Sequence, residues 1–139
     1  MKATIKWTGE ASFAAEAGSG HKVVIDGAPE HGGRNRGFRP MELVLVGMGG
    51  CTAFDVVSIL KKSRQKVTDC VAELTAERAQ TVPRVFTKIN VHFIVSGEAL
   101  DAKKVERAIS LSAEKYCSAT RMLAETAEIT HDFEIIEVQ

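Results

Sequence analysis

The sequence predicts an α+β fold in a single domain spanning residues 1–139. Three observations carry that expectation. Short segments of alternating polarity come in blocks rather than between helices, which argues against the βαβ repeat of a parallel α/β protein. One long apolar segment opens on a proline and has the length of a helix rather than a strand. The composition, 45% hydrophobic and 26% charged over 139 residues, suits a soluble chain able to build its own core. No internal repeat, low-complexity stretch or interior linker breaks the pattern.

The elements follow in order. Residues 2–8 alternate, with Ala3, Ile5 and Trp7 on one face, as in a half-buried strand. Gly9-Glu10 turns the chain into a strand over Ser12–Glu16, and Gly18-Ser19-Gly20 turns it into a third over His21–Asp26, giving an antiparallel meander. Residues 27–39 form a glycine- and arginine-rich loop, either solvated and flexible or able to supply a cation to a site. Pro40 opens a helix running to about Lys62 or Arg64. It is apolar nearly all round, so it is expected to be buried rather than amphipathic. Gly47, Gly49 and Gly50 weaken it by up to about 1 kcal/mol each relative to Ala, a cost accepted where another backbone, such as a second copy of the helix, packs closely.

Val67–Glu77 alternates again, with Cys70, Ala72, Leu74 and Ala76 on one face. After the break at Val82-Pro83, Val85–Val95 forms a strand with Val85, Ile89, Val91, Phe93 and Val95 inward, and Phe86, Lys88, His92 and Ile94 outward. Asp101 is a helix N-cap, and the helix that follows buries Val105, Ala108, Ile109, Leu111, Ser112 and Tyr116. Ser118 caps a further short helix through Thr126, and Ile129–Val138 closes the fold with Ile129, His131, Phe133 and Ile135 on one side. The order is βββ-α-ββ-αα-β.

Charge and motifs exclude several classes. Eighteen basic residues balance eighteen acidic ones, so no polyanion-binding surface is expected. The N-terminus lacks the apolar run of a signal peptide. Met41–Leu60 is long enough for a bilayer, but Glu42, Asp55, Ser58 and its glycines point to burial in protein. The four histidines (His21, His31, His92, His131) lack metal-ligand spacing, and His131 reads as a satisfied core histidine. No phosphate loop, nucleophile elbow or dinucleotide fingerprint is present. No metal, cofactor, nucleic acid or membrane is expected, and the expected location is the cytoplasm.

The chemistry turns on three cysteines, an odd number with no CxxC, which removes a paired disulfide framework. Cys70 on an apolar strand face reads as a small buried hydrophobe. Cys51 lies in the glycine-rich helix, where the glycines leave open space beside the sulfur. Asp55 at i+4 shares its face and disfavours a thiolate, so a nearby cation would be needed to offset it. Cys117 sits where one helix ends and another begins; a helix N-terminus beside its sulfur favours thiolate. On residues alone, a reactive and a structural role stay open for both.

Two segments then carry a resemblance. Pro40-Met41-Glu42-Leu43-Val44-Leu45-Val46-Gly47-Met48-Gly49-Gly50-Cys51 resembles the first cysteine motif of the OsmC/Ohr family, and Glu114-Lys115-Tyr116-Cys117-Ser118 resembles the second. The element order and cysteine spacing fit over essentially the whole chain. Within the family, it looks closest to the OsmC-like branch that resembles YhfA. The resemblance implies antiparallel sheets wrapped around long central helices in an intertwined homodimer, with each site at the subunit interface. It implies thiol-dependent reduction of organic hydroperoxides or hydrogen peroxide in oxidative stress defence. Cys51 would be the peroxidatic nucleophile and Cys117 the resolving thiol, and a dithiol, lipoyl-type in some members, the reductant. Arg34, Arg36 and Arg39 are the candidates for the site's cation, with Arg121 an outside option.

Three departures stand beside it. Met41 occupies the position of the family glutamate, and Glu42 follows one residue later. Nine residues from Glu42 to Cys51 make about 900°, half a turn out of phase, although Glu42 stays a candidate for the glutamate's role. Arg39 precedes the proline where a small polar residue is usual, and Ser118 follows the second cysteine in place of proline. The rival readings are a non-catalytic OsmC-like dimer that binds a small hydrophobic ligand and a redox sensor that forms the disulfide without efficient turnover.

Overall fold

A computed structural model describes all residues, 1–139, with the element order expected from the sequence. The chain divides into two compact units, residues 1–46 and 47–139. The first holds strands β1 (Ala3–Gly9), β2 (Ser12–Ala17) and β3 (Lys22–Asp26). Helix α1 (Pro40–Lys62) crosses the boundary between the units. The second continues with β4 (Lys66–Arg78), β5 (Phe86–Glu98), α2 (Ala102–Leu111), a π-helical turn (Ser112–Tyr116), α3 (Ser118–Leu123) and β6 (Glu128–Glu137).

In the first unit, β1-β2-β3 is an antiparallel meander. Its outer strand is more exposed than the alternation implied: Ile5 and Trp7 are 56% and 63% accessible. Residues 27–39 are ordered rather than loose, because the loop is built on Asp26. The Asp26 carboxylate is buried and accepts N–H bonds from Gly27 (2.9 Å), Arg34 (3.0 Å) and Arg36 (3.1 Å). These bonds, the one from the Arg34 amide foremost, hold its carboxyl below the usual carboxylate range. Two glycines are needed for the chain to fold back so closely. A Cβ on Gly33 would stand 1.6 Å from the Gly27 carbonyl oxygen, and one on Gly37 2.2 Å from that of Val24.

The second unit contains most of the core. β4 and β5 form an antiparallel hairpin, and β6 lies parallel to β5. The expectation of purely antiparallel sheets is therefore corrected. α2, the π turn and α3 lie between β5 and β6, and a connection of that length is what a parallel neighbour requires. The inward row Ile89, Val91, Phe93 and Val95 is buried as expected. Phe86 is also buried, not outward, while Val85 is 39% exposed. A register shift at Glu77/Arg78 inserts an extra residue and flips the row at that end. Tyr116 is exposed rather than buried, because the π turn breaks the three- and four-residue rhythm of α2.

Within α1, only one stripe is buried: Met48, Gly49, Thr52, Val56 and Leu60. The all-round burial expected from its composition is not what a single chain provides, and Phe54 is 75% exposed. By length and mean hydropathy of 2.0, α1 matches a bilayer span. Its stripe is nonetheless occupied by protein. Gly49 meets the Leu74 side chain of β4, not another backbone, and Thr52 bonds Ser112. Gly47 and Gly50 have open space where a Cβ would stand.

Two histidines make stability pH-dependent with opposite signs. His131 stacks on Phe93 (ring centroids 6.4 Å apart, planes at 11°), and its Nε2 has no partner, so it is not the satisfied core histidine expected. Burial holds it below its ordinary 6.5, with Asp132 opposing. The fold accepts the neutral ring, so its contribution is whole above about pH 6.5 and is lost as pH falls below that. His92, outward on β5 and opposite Glu73 in register, bonds Asp132 at 2.6 Å and Glu134 at 3.5 Å. Those carboxylates, Asp132 first, raise it above 6.5. Its contribution is whole below 6.5 and is lost as pH rises through the folded-state value. In chemical denaturation, His131→Phe is expected to gain stability at about pH 5 relative to about pH 8, and His92→Ala to cost more at the lower pH. Parallel shifts at both pH values would contradict these assignments. For the loop, Asp26→Asn is expected to speed tryptic cleavage after Arg34 and Arg36 in the native protein. An unchanged cleavage rate would show that the loop is held some other way.

Candidate active site

The site is built where α1 meets the end of α2. Cys51 and Asp55 are one helical turn apart and share a face of α1. Asp101 starts α2, its carboxylate accepting from the Lys103 N–H at 2.9 Å. The helix then widens into the π turn, where the Cys117 N–H donates to the Ser112 carbonyl at 2.8 Å. Cys117, extended at φ −78° and ψ 103°, is the N-cap of α3, a role expected of Ser118. Its Sγ accepts from the Thr120 N–H (3.3 Å) and Thr120 Oγ1 (3.0 Å).

This construction brings Cys51 Sγ, Cys117 Sγ and an Asp55 carboxylate oxygen within 4.8 Å of one another. Both cysteines are free thiols. A chain of hydroxyls locks the geometry: Ser112 Oγ donates to Asp55 Oδ2 (3.0 Å) and lies 2.8 Å from Thr52 Oγ1. Thr52 and Ser112 are fully buried. Their part was not read from the sequence, although Ser112 on an otherwise apolar helix stripe was a signal.

The two sulfurs differ in environment. Cys51 is half-buried and Cys117 fully buried. Burial pushes the Cys117 thiol up; the Thr120 hydroxyl and amide oppose it, and neighbouring Cys51 adds to the rise. The expected thiolate at Cys117 is thus corrected: the cap is real, but loss of water around the sulfur outweighs it. Cys70 is half-buried, and burial, with Asp69 assisting, raises its thiol too.

The remaining candidates, Arg121 apart, lie in residues 1–46 with partners of their own. Arg34 pairs with Glu10 at 2.7 Å, both side chains exposed. The Arg36 main chain is tied to Asp26. The Arg39 carbonyl accepts from Leu43, its guanidinium bonds Asn35 Oδ1 (2.7 Å), and its N–H donates to Glu42 Oε1 (2.8 Å). Glu42 therefore reaches back to its own helix start, half of a capping box. Arg36, Arg39 and Glu42 line an open cleft of about 500 Å³ with Phe38 and Val24. Arg121 donates to the Glu114 carbonyl at 3.0 Å.

The family model for OsmC-like proteins matches residues 32–132, which include both cysteines, and the chain belongs to the OsmC/Ohr family. It is 48% identical to Protein YhfA of Escherichia coli strain K12 over 136 residues, 98% of each chain. One solved structure, from structural genomics, superposes with a TM-score of 0.90 at 46% identity, covering 99% of this chain and 100% of that one. An organic hydroperoxide resistance protein OsmC from Legionella pneumophila shares the fold at a TM-score of 0.71 and 16% identity, over 99% and 98% of the two chains.

The burial difference sets an order of reactivity. Brief iodoacetamide treatment of the reduced native protein is expected to label Cys51 before Cys117, followed by peptide mass spectrometry. Labelling of Cys117 first would contradict the assigned environments.

Proposed function

We propose that the chain is a cysteine-based hydroperoxide reductase. The observation that carries this reading is the pair of unbonded sulfurs, Cys51 and Cys117, held on separate elements within 4.8 Å. Cys51, as thiolate, attacks the terminal oxygen of the peroxide. The O–O bond breaks, the alcohol leaves with a proton, and Cys51 becomes a sulfenic acid. The Cys117 sulfur then attacks the Cys51 sulfur, water leaves with the Cys117 proton, and a disulfide forms. An external dithiol returns both thiols and is itself oxidised to a disulfide.

Burial supports the division of roles. Cys117 keeps its proton at neutral pH and sits out of reach of solvent, which suits a resolving thiol. Cys51 has open space at Gly47 and Gly50, which suits the sulfur that meets substrate first. Forming the bond at about 2.05 Å requires the two sulfurs to close by less than about 3 Å. Of the three loop arginines that the resemblance offers as the site's cation, Arg36 is favoured, because the Arg34 guanidinium is paired to Glu10 and that of Arg39 to Asn35.

The working form is a homodimer. Ile5, Trp7, Val44, Val46 and Phe54 are all more than 35% exposed, and the open face of α1 carries an apolar groove of about 550 Å³ along Gly50, Phe54 and Val57. Apolar area of that kind stabilises association at roughly 25 cal/mol per Å² buried.

Stopped-flow mixing of reduced protein with an organic hydroperoxide tests the reading. One disulfide per chain is expected, with reaction in Cys51→Ser slowed at least about 100-fold. Cys117→Ser is expected to react once and stop at the sulfenic acid. A Cys51→Ser variant as fast as the native chain would refute the assignment.

A further inference from the structure

We propose that Cys51, Asp55 and Cys117 form a zinc(II) site in the reduced protein. The three donor atoms lie within 4.8 Å of one another. Zinc bonds of about 2.3 Å to sulfur and 2.0–2.2 Å to carboxylate oxygen span tetrahedral edges of roughly 3.5–3.8 Å. The donors therefore reach zinc geometry by closing no more than about 1.3 Å. Two thiolates and one carboxylate suit a borderline-soft divalent ion and discriminate against magnesium and calcium, which take all-oxygen ligand sets.

The surroundings are those of a supported site rather than a chance cluster. Each ligand but Cys51 is oriented by a neighbour. Ser112 Oγ donates to Asp55 Oδ2 and is itself backed by Thr52, while Thr120 donates twice to the Cys117 sulfur. A carboxylate bonded by Ser112 retains lone pairs for the metal. Cys117 is buried, whereas Cys51 and Asp55 are only half-buried. The fourth position therefore falls to water, the arrangement of a three-ligand zinc centre with one open place. Binding releases a proton for each thiol that enters as thiolate.

Zinc and a disulfide use the same two sulfurs, so they exclude each other. Oxidation removes both sulfur ligands, and bound zinc keeps both sulfurs from peroxide. The binding claim itself does not depend on peroxidase activity and is read without peroxide.

Reduced full-length protein is titrated with zinc chloride against a chromophoric chelator of micromolar affinity. One zinc ion per chain is expected. Cys51→Ser and Cys117→Ser should each weaken binding by about 100-fold or more. Ser112→Ala, which keeps every ligand but removes the donor to Asp55 and with it the bond to Thr52, should weaken it by about 10-fold. Cys70→Ser should bind as the native chain does. Cobalt(II) should give a thiolate-to-cobalt charge-transfer band that is lost in Cys117→Ser. Failure to compete with the chelator, or uptake that survives loss of either Cys51 or Cys117, would overturn the proposal.

Discussion

The arrangement depends on one short hydrogen-bonded chain, Thr52–Ser112–Asp55. It joins α1 to the end of α2 through fully buried hydroxyls and fixes the helix face that carries Cys51. Buried polar groups left without partners cost about 1–3 kcal/mol each, so removing any member penalises the others. Ser112 is also the residue at which α2 gives way to the π turn, and that turn delivers Cys117 to the Cys51 side of α1. Residues distant in sequence thereby become neighbours without a covalent link.

The site combines opposed electrostatic demands. Two sulfurs and a carboxylate share a small, half-buried space, which disfavours negative charge on all three at once. A proton on Cys117 relieves that crowding in the reduced protein; a disulfide or a divalent cation relieves it in other ways. On the proposals made above, the thiols and the acid would stand between three chemical states, and what reaches the site would decide which is populated. The exposed Phe54 of α1 belongs to the same picture, since a covered α1 would make the site drier and each charge costlier.

Much of this was legible in the sequence because local patterning and local structure agreed. Pro40 and the long apolar segment indicate α1, which ends at Lys62, one of the two ends expected, and Asp101 caps α2 as its position indicates. The pairing of Cys51 with Cys117 rested on resemblance, since no local signal links two distant cysteines. What could not be read were features that arise only from tertiary contact. The parallel placement of β6, the bulge that buries Phe86 and the π turn that exposes Tyr116 each break the periodicity used to read the sequence. Asp26 as organiser of the arginine loop was missed, although an aspartate directly before a glycine invites bonds to following amides. The environment of the Cys117 sulfur was legible only in part, because a helix cap is visible in sequence and burial of the sulfur is not.

The central claim is that Cys51 and Cys117 act as one redox pair. Peptide mapping without reductant, after a single equivalent of organic hydroperoxide, tests it most directly. The account predicts one cross-linked species joining the Cys51 and Cys117 peptides of the same chain, with Cys70 remaining a free thiol. A cross-link through Cys70, or oxidised Cys51 with Cys117 still free, would contradict it.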